Sequence, residues 1–108
     1  MSTLTKIKPA ALAEGLKAGR FHLIDIREPD EHAREHIPGA VLIPLSRLEA
    51  ADVKLEADCT AVFHCKSGMR TEQNCDRLAA RIDGDALILE GGIEAWKRAG
   101  LPVASGAK

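Results

Sequence analysis

The sequence predicts an α/β domain with a mostly parallel central sheet and helices on both of its faces. Short, almost wholly apolar runs recur along the chain: His22-Leu23-Ile24-Asp25-Ile26, Val41-Leu42-Ile43, Ala61-Val62-Phe63-His64 and Ala86-Leu87-Ile88-Leu89. Such runs suit strands covered on both sides rather than half-exposed ones. Segments of helical period separate them, and that alternation implies parallel pairing through crossover helices. In addition, Asp25, Cys65 and Glu90 each stand at the carboxyl end of a run, where ligand crevices of open parallel sheets lie.

The first helix is expected from Pro9 to about Gly19, with proline at its start, Leu12 and Leu16 on one face, and glycine as its stop. After the strand ending near Ile26, Glu28-Pro29-Asp30-Glu31 has the composition of a helix start; that helix, roughly two turns of 3.6 residues, must end before Pro38-Gly39. Val41 to Ile43 is a second strand, ended by Pro44, and Ser46-Arg47-Leu48-Glu49 reads as a capping box opening a small helix. The strand Ala61–His64 leads into a loop beginning at Cys65. One helix is expected after Thr71, with Cys75, Leu78, Ala79 and Ile82 on its inner face, closed by Asp83-Gly84-Asp85. The strand Ala86–Leu89, the turn Glu90-Gly91-Gly92 and a last helix from Ile93 to Ala99 complete the pattern, with Gly100 and Pro102 as its stop.

The 108 residues, 45 % hydrophobic and 29 % charged, are enough for one packed core, assigned to residues 1–103 with 104–108 as a linker-like tail. Fifteen Lys and Arg against sixteen Asp and Glu leave a formal charge of −1, so no overall field favours nucleic acid or an anionic membrane. Three cysteines, an odd number, do not read as a disulfide framework and suit a reducing compartment. Without a signal-like start or a stretch of about eighteen apolar residues, the expected location is the cytoplasm, with no membrane contact by this chain.

The chemistry concentrates in Phe63-His64-Cys65-Lys66-Ser67-Gly68-Met69-Arg70-Thr71. A strand–loop–helix junction aims successive backbone N–H groups at one point. Cys65 stands at that point, in an electropositive and partly exposed setting of the kind that favours a thiolate. Lys66 and Arg70 supply cations, Gly68 permits positive φ, and Ser67 and Thr71 add hydroxyl donors. Met69 reads as an exposed side chain at the rim, or as a cover folded over the thiol. The ring from Cys65 to Arg70 has the makings of an anion cradle.

Cys65-Lys66-Ser67-Gly68-Met69-Arg70-Thr71 resembles the active-site loop of the rhodanese sulfurtransferases, Cys-x-x-Gly-x-Arg followed by Ser or Thr. Leu23 to Pro29 with Glu31, His36-Ile37-Pro38-Gly39-Ala40, Ile43-Pro44 and Leu89 to Ile93 with Ala95-Trp96 resemble further motifs of that family, in order. Two positions depart: Glu35 stands where a glycine is usual, and Leu42 where an asparagine is frequent. The chain is most similar to the soluble domain of bacterial membrane-anchored rhodaneses, and continuation past Lys108 would alter location and not chemistry. The resemblance implies a rhodanese-like fold, a Cys65 persulfide formed from an anionic donor such as thiosulfate, and a thiol, cyanide or a sulfur-accepting protein as acceptor. It implies no cofactor.

The alternatives are a cysteine phosphatase or arsenate-reductase-like enzyme, and a sulfur-relay or regulatory module. Phosphatases resemble His-Cys-x5-Arg, whereas four residues separate Cys65 from Arg70, a tighter ring sized for sulfur. Asp25, Arg27 and Glu90 are expected as supports, with carboxylates at strand ends orienting Arg70 or Arg27. His64 reads as a hydrogen-bonded structural residue, and Trp96 with Ile93 as packing for the last helix. His32-Ala33-Arg34-Glu35-His36 has a His-x-x-Glu-His spacing, but the short helix and the lack of a third ligand argue against a metal. Cys59 and Cys75 are expected to be structural and too far from Cys65 for a disulfide.

Overall fold

The computed structural model describes residues 4–51, 53, 55, 58–82 and 84–106. A parallel five-stranded sheet is built from β1 (Leu4–Ile7), β2 (Phe21–Asp25), β3 (Val41–Leu42), β4 (Thr60–His64) and β5 (Ala86–Leu89), in the spatial order β1-β5-β4-β2-β3. Every ladder in it is parallel. The helices are α1 (Pro9–Lys17), α2 (Pro29–Arg34), α3 (Met69–Gln73), α4 (Cys75–Ala79) and α5 (Gly92–Arg98), with a 3₁₀ helix at Leu45–Ala50.

The strands divide their side chains between two faces by their period of two. Ile24, Ala61, Phe63, Cys65 and Ile88 pack with Leu48, Leu78 and Ile82 on one face; Leu23, Val62 and Leu89 pack with Leu12, Ile37, Ile93 and Trp96 on the other. Both faces are covered by helices, as the apolar runs require. The all-parallel sheet brings the carboxyl ends of β2, β4 and β5 to one edge. Asp25 is the register partner of His64, one residue before Cys65.

Three local expectations change. β1 was not legible, since Leu4-Thr5-Lys6-Ile7 exposes Thr5 and Lys6; its place comes from edge pairing with Ala86–Leu89. The helix after the loop is broken in two at Asn74 (φ −121°, ψ 23°), whose side-chain Nδ2–H donates to the Arg70 carbonyl at 2.8 Å. A side chain competing for backbone groups in this way commonly interrupts a helix. The helix that follows the loop is therefore only five residues long.

The third change is the capping box, which belongs to α2. Glu28 caps its N-terminus while the Glu31 carboxylate accepts the Glu28 N–H at 3.1 Å. Ser46 opens no box; its hydroxyl donates to the Glu28 carboxylate at 3.2 Å. At the other end of the chain, Ala104 pairs with His36 in an antiparallel bridge and the Gly106 N–H donates to the Ala33 carbonyl at 2.7 Å. Of the expected closure at 83–85, Asp83 lies outside the described residues.

Candidate active site

Cys65 leaves β4 with its side chain on the same face as Ala61 and Phe63, and the loop turns back over it. The turn needs Gly68, whose φ of +95° is costly for any residue with a Cβ. In that conformation the Gly68 N–H points at the Cys65 Sγ, 3.1 Å away. The Thr71 hydroxyl donates to the Gly68 carbonyl at 2.8 Å and lies 3.9 Å from the same sulfur. The cysteine is 1 % exposed, where the sequence suggested partial exposure, because the loop and the first turn of α3 close around it.

The other wall is the β5–α5 turn. The Ile93 and Glu94 N–H groups donate to the Cys65 and Lys66 carbonyls, each at 3.0 Å. A Cβ on Gly92 would stand 2.6 Å from the Cys65 carbonyl oxygen and 2.5 Å from that of Lys66. Gly92 was not singled out as a site residue from the sequence, although the Gly91-Gly92 pair marks the turn that carries it. Glu90, expected to support the site, is exposed; its carboxylate makes no hydrogen bond or ion pair among the described residues, and its N–H closes the ladder to Ile7 at 2.8 Å. Packing at this wall comes from the glycines that follow it.

Asp25 and Arg27 are both buried and form a fork. Arg27 Nη2–H reaches Asp25 Oδ2 at 2.8 Å, and Nε–H and the backbone N–H reach Oδ1 at 3.0 and 2.9 Å. His32 Nδ1–H donates to the same carboxylate at 2.9 Å, and Arg27 also donates to the Glu35 carbonyl at 2.7 Å. Burial opposes ionisation of Asp25, but Arg27, His64 and His32 together outweigh it and hold the carboxyl at about 2. This cluster braces α2 against the sheet, so Asp25 orients Arg27 and not Arg70.

Arg70 is oriented by Glu31. Its Nη1–H and Nη2–H donate to the two Glu31 carboxylate oxygens at 2.9 and 2.8 Å. In the sequence Glu31 reads as part of a helix start and of a family motif, without a role at the site; its signal is an acid in the first turn of a helix beginning beside the loop. Lys66 and Ser67 are exposed, and Met69, at 62 % exposure, faces solvent instead of covering the thiol. Beside the loop lies an open depression of about 460 Å³ lined by Arg27, Glu31, Arg34, Glu35, Lys66, Ile93, Glu94 and Lys97.

His64 is fully buried, and its Nδ1–H donates to the Cys65 carbonyl at 3.1 Å. His32 and His36 stack at a centroid distance of 4.2 Å, and their Nδ1–H groups donate to Asp25 and to the His32 carbonyl. Among the described residues no group of His, Cys, Asp and Glu is arranged to hold a metal. Cys59 and Cys75 are free and half-exposed to half-buried, with Sγ–H donating to the Gly19 and Thr71 carbonyls at 3.4 and 3.3 Å. Among the described residues no helix is long and apolar enough to cross a membrane.

A parallel sheet carrying a cysteine loop at the end of its central strand, braced from both neighbouring strands, defines the rhodanese class of α/β domain. The chain belongs to the rhodanese-like domain family, whose model matches residues 8–99. It is 40 % identical over 81 residues to a sulfurtransferase of Allochromatium vinosum, covering 75 % of this chain and 76 % of that one. It is also 40 % identical over 95 residues to the probable adenylyltransferase/sulfurtransferase MoeZ of Mycobacterium tuberculosis, covering 85 % of this chain. The chain spans 24 % of the length of MoeZ and 56 % of a relative in Synechocystis. The crystal structure of a rhodanese-related protein from Thermoplasma volcanium superposes with a TM-score of 0.77 at 31 % identity, covering 93 % of this chain and 97 % of that one.

Proposed function

We propose that this domain is a sulfurtransferase that carries sulfane sulfur as a persulfide on Cys65. The observation that carries the reading is the Gly68 N–H directed at Sγ from 3.1 Å within a six-residue ring, with two cationic side chains on that ring. As a thiolate, Cys65 attacks the outer sulfur of an anionic donor such as thiosulfate; the donor S–S bond breaks and sulfite leaves with the electron pair. The terminal sulfur of the resulting persulfide carries the negative charge that backbone donors and Lys66 and Arg70 would stabilise. A thiolate acceptor then attacks that sulfur, taking it as its own persulfide and returning Cys65 as thiolate. Cyanide can substitute for the acceptor in an assay. A thiol on a small molecule or on a sulfur-accepting protein is the proposed natural recipient.

Intact mass after incubation with thiosulfate should rise by one sulfur on the wild type and not on Cys65→Ala. Absence of that adduct, together with hydrolysis of an aryl phosphate by the same sample, would replace sulfur transfer with phosphatase chemistry.

A further inference from the structure

Arg70 has a long side chain whose many rotamers cost entropy to fix, yet a donor anion needs its guanidinium in one place. Glu31 comes from α2, 39 residues away in sequence, and grips both Nη atoms at 2.9 and 2.8 Å. The pair is partly buried, with side-chain exposures of 34 % for Arg70 and 19 % for Glu31. Glu31 is itself anchored, since its Oε1 also accepts the Glu28 N–H at 3.1 Å. The Arg70 hydrogen bonds, against the opposing effect of burial, hold the Glu31 carboxyl at about 2, so it remains a carboxylate at neutral pH. Glu31, and more weakly Cys65 and Asp25, favour the charged form of Arg70.

We propose that Glu31 is the positioning residue for Arg70, aiming its guanidinium so that an anionic donor is received beside Cys65. This rests on the sulfur-transfer reading and adds to it the residue that sets the preference for anions. A guanidinium has five N–H groups; the two bonds to Glu31 leave the Nε–H and one on each Nη for a ligand. Lys66, exposed and in no ion pair among the described residues, keeps the mouth of the ring cationic despite the Glu31 charge. The rival role is competition, in which Glu31 occupies Arg70 and a donor must displace it. The two roles predict opposite signs when Glu31 is removed.

The test is the rate of Cys65 alkylation by iodoacetate relative to iodoacetamide, read by peptide mass so that Cys59 and Cys75 do not interfere, alongside kcat and KM for thiosulfate. Glu31→Ala should lower the preference for the anionic reagent by about tenfold and raise KM for thiosulfate, as expected when a binding group loses its aim. Glu31→Gln should recover part of both. Glu28→Ala, which removes the α2 cap without touching Arg70, should leave the alkylation ratio unchanged. An unchanged or increased ratio in Glu31→Ala overturns the proposal, as does an equal loss in Glu28→Ala, which would trace the effect to the cap. Should Glu31→Ala not fold, Glu31→Gln retains an acceptor for the Glu28 N–H and decides by the same sign. A wild-type Cys65 inert to both reagents overturns this proposal together with the sulfur-transfer reading; normal persulfide formation with an unchanged ratio overturns this proposal alone.

Discussion

Asp25 and His64 face each other in register on β2 and β4, both fully buried, with Asp25 Oδ1 3.9 Å from His64 Nε2. That separation is too long for a hydrogen bond, and Nε2 has no hydrogen-bond partner among the described residues. Burial pushes the imidazole down to about 4, with Arg27 and His32 adding to the effect and Asp25 and the Cys65 carbonyl opposing it. A histidine whose folded value lies below its ordinary 6.5 contributes stability that is present above 6.5 and lost as pH falls through about 4. Urea unfolding should therefore show stability declining from pH 7 to pH 4. His64→Phe should flatten that limb; an unchanged slope in the variant would assign the decline to other groups.

A second limb lies at lower pH. The Asp25 carboxyl, held at about 2 against an ordinary 3.8, contributes stability present above 3.8 and lost as pH falls through 2. Removing it strands Arg27, which is 3 % exposed, and leaves the His32 Nδ1–H without its acceptor. Breaking a buried ion pair from one side costs about 3–5 kcal/mol. Asp25→Ala should lose about that much in denaturant unfolding at pH 7, and Asp25→Asn less, because it keeps an acceptor. A loss within experimental error for Asp25→Ala would mean that water replaces the carboxylate.

Gly92 carries a prediction about the wall of the site. Its φ is +62°, and an added Cβ would stand 2.6 Å or less from the carbonyl oxygens of Cys65 and Lys66, which are backbone and cannot swing aside. Strained φ alone costs about 1–3 kcal/mol, and relief of the clash must move the cysteine loop. Gly92→Ala should therefore slow persulfide formation more than its loss of melting temperature would imply. Gly84→Ala also places a side chain at positive φ but meets nothing within 4 Å, so it should lower stability without a comparable effect on rate. Equal behaviour of the two variants would remove Gly92 from the site.

The parts legible in the sequence were those written in local pattern. The apolar runs place β2, β4 and β5, and Pro9, Gly39 and Gly100 bound elements through their own backbone preferences. The Cys65 to Arg70 ring could be read because all its residues are contiguous. The illegible parts depend on distant partners. The β1 strand exists by pairing with β5, the break at Asn74 depends on how one side chain divides its hydrogen bonds, and the Arg70–Glu31 pair spans 39 residues. Pattern alone points to a strand-end carboxylate as the partner of Arg70. Those ends hold Asp25, which Arg27 and His32 occupy, while the first turn of α2 lies nearer to Arg70 than pattern alone discloses.

Thr71 tests whether the loop itself, rather than the charges around it, governs the sulfur. It is fully buried, and its hydroxyl donates to the Gly68 carbonyl at 2.8 Å, holding the same peptide segment whose N–H addresses Sγ. Thr71→Val keeps the volume and removes this donor, a loss of about 1 kcal/mol in stability, while the Gly68 carbonyl keeps the Glu72 N–H at 3.1 Å. The larger effect should be on chemistry, because a shift of the Gly68 peptide moves its N–H relative to Sγ; a drop of about tenfold in the rate of persulfide formation is expected, in line with the cost of misplacing a donor at a developing charge. Thr71→Ser retains the hydroxyl and should recover most of that rate while losing packing. A Thr71→Val enzyme as fast as the wild type, with the expected loss of stability, would show that the hydroxyl serves only the fold and that Gly68 is held by its own turn.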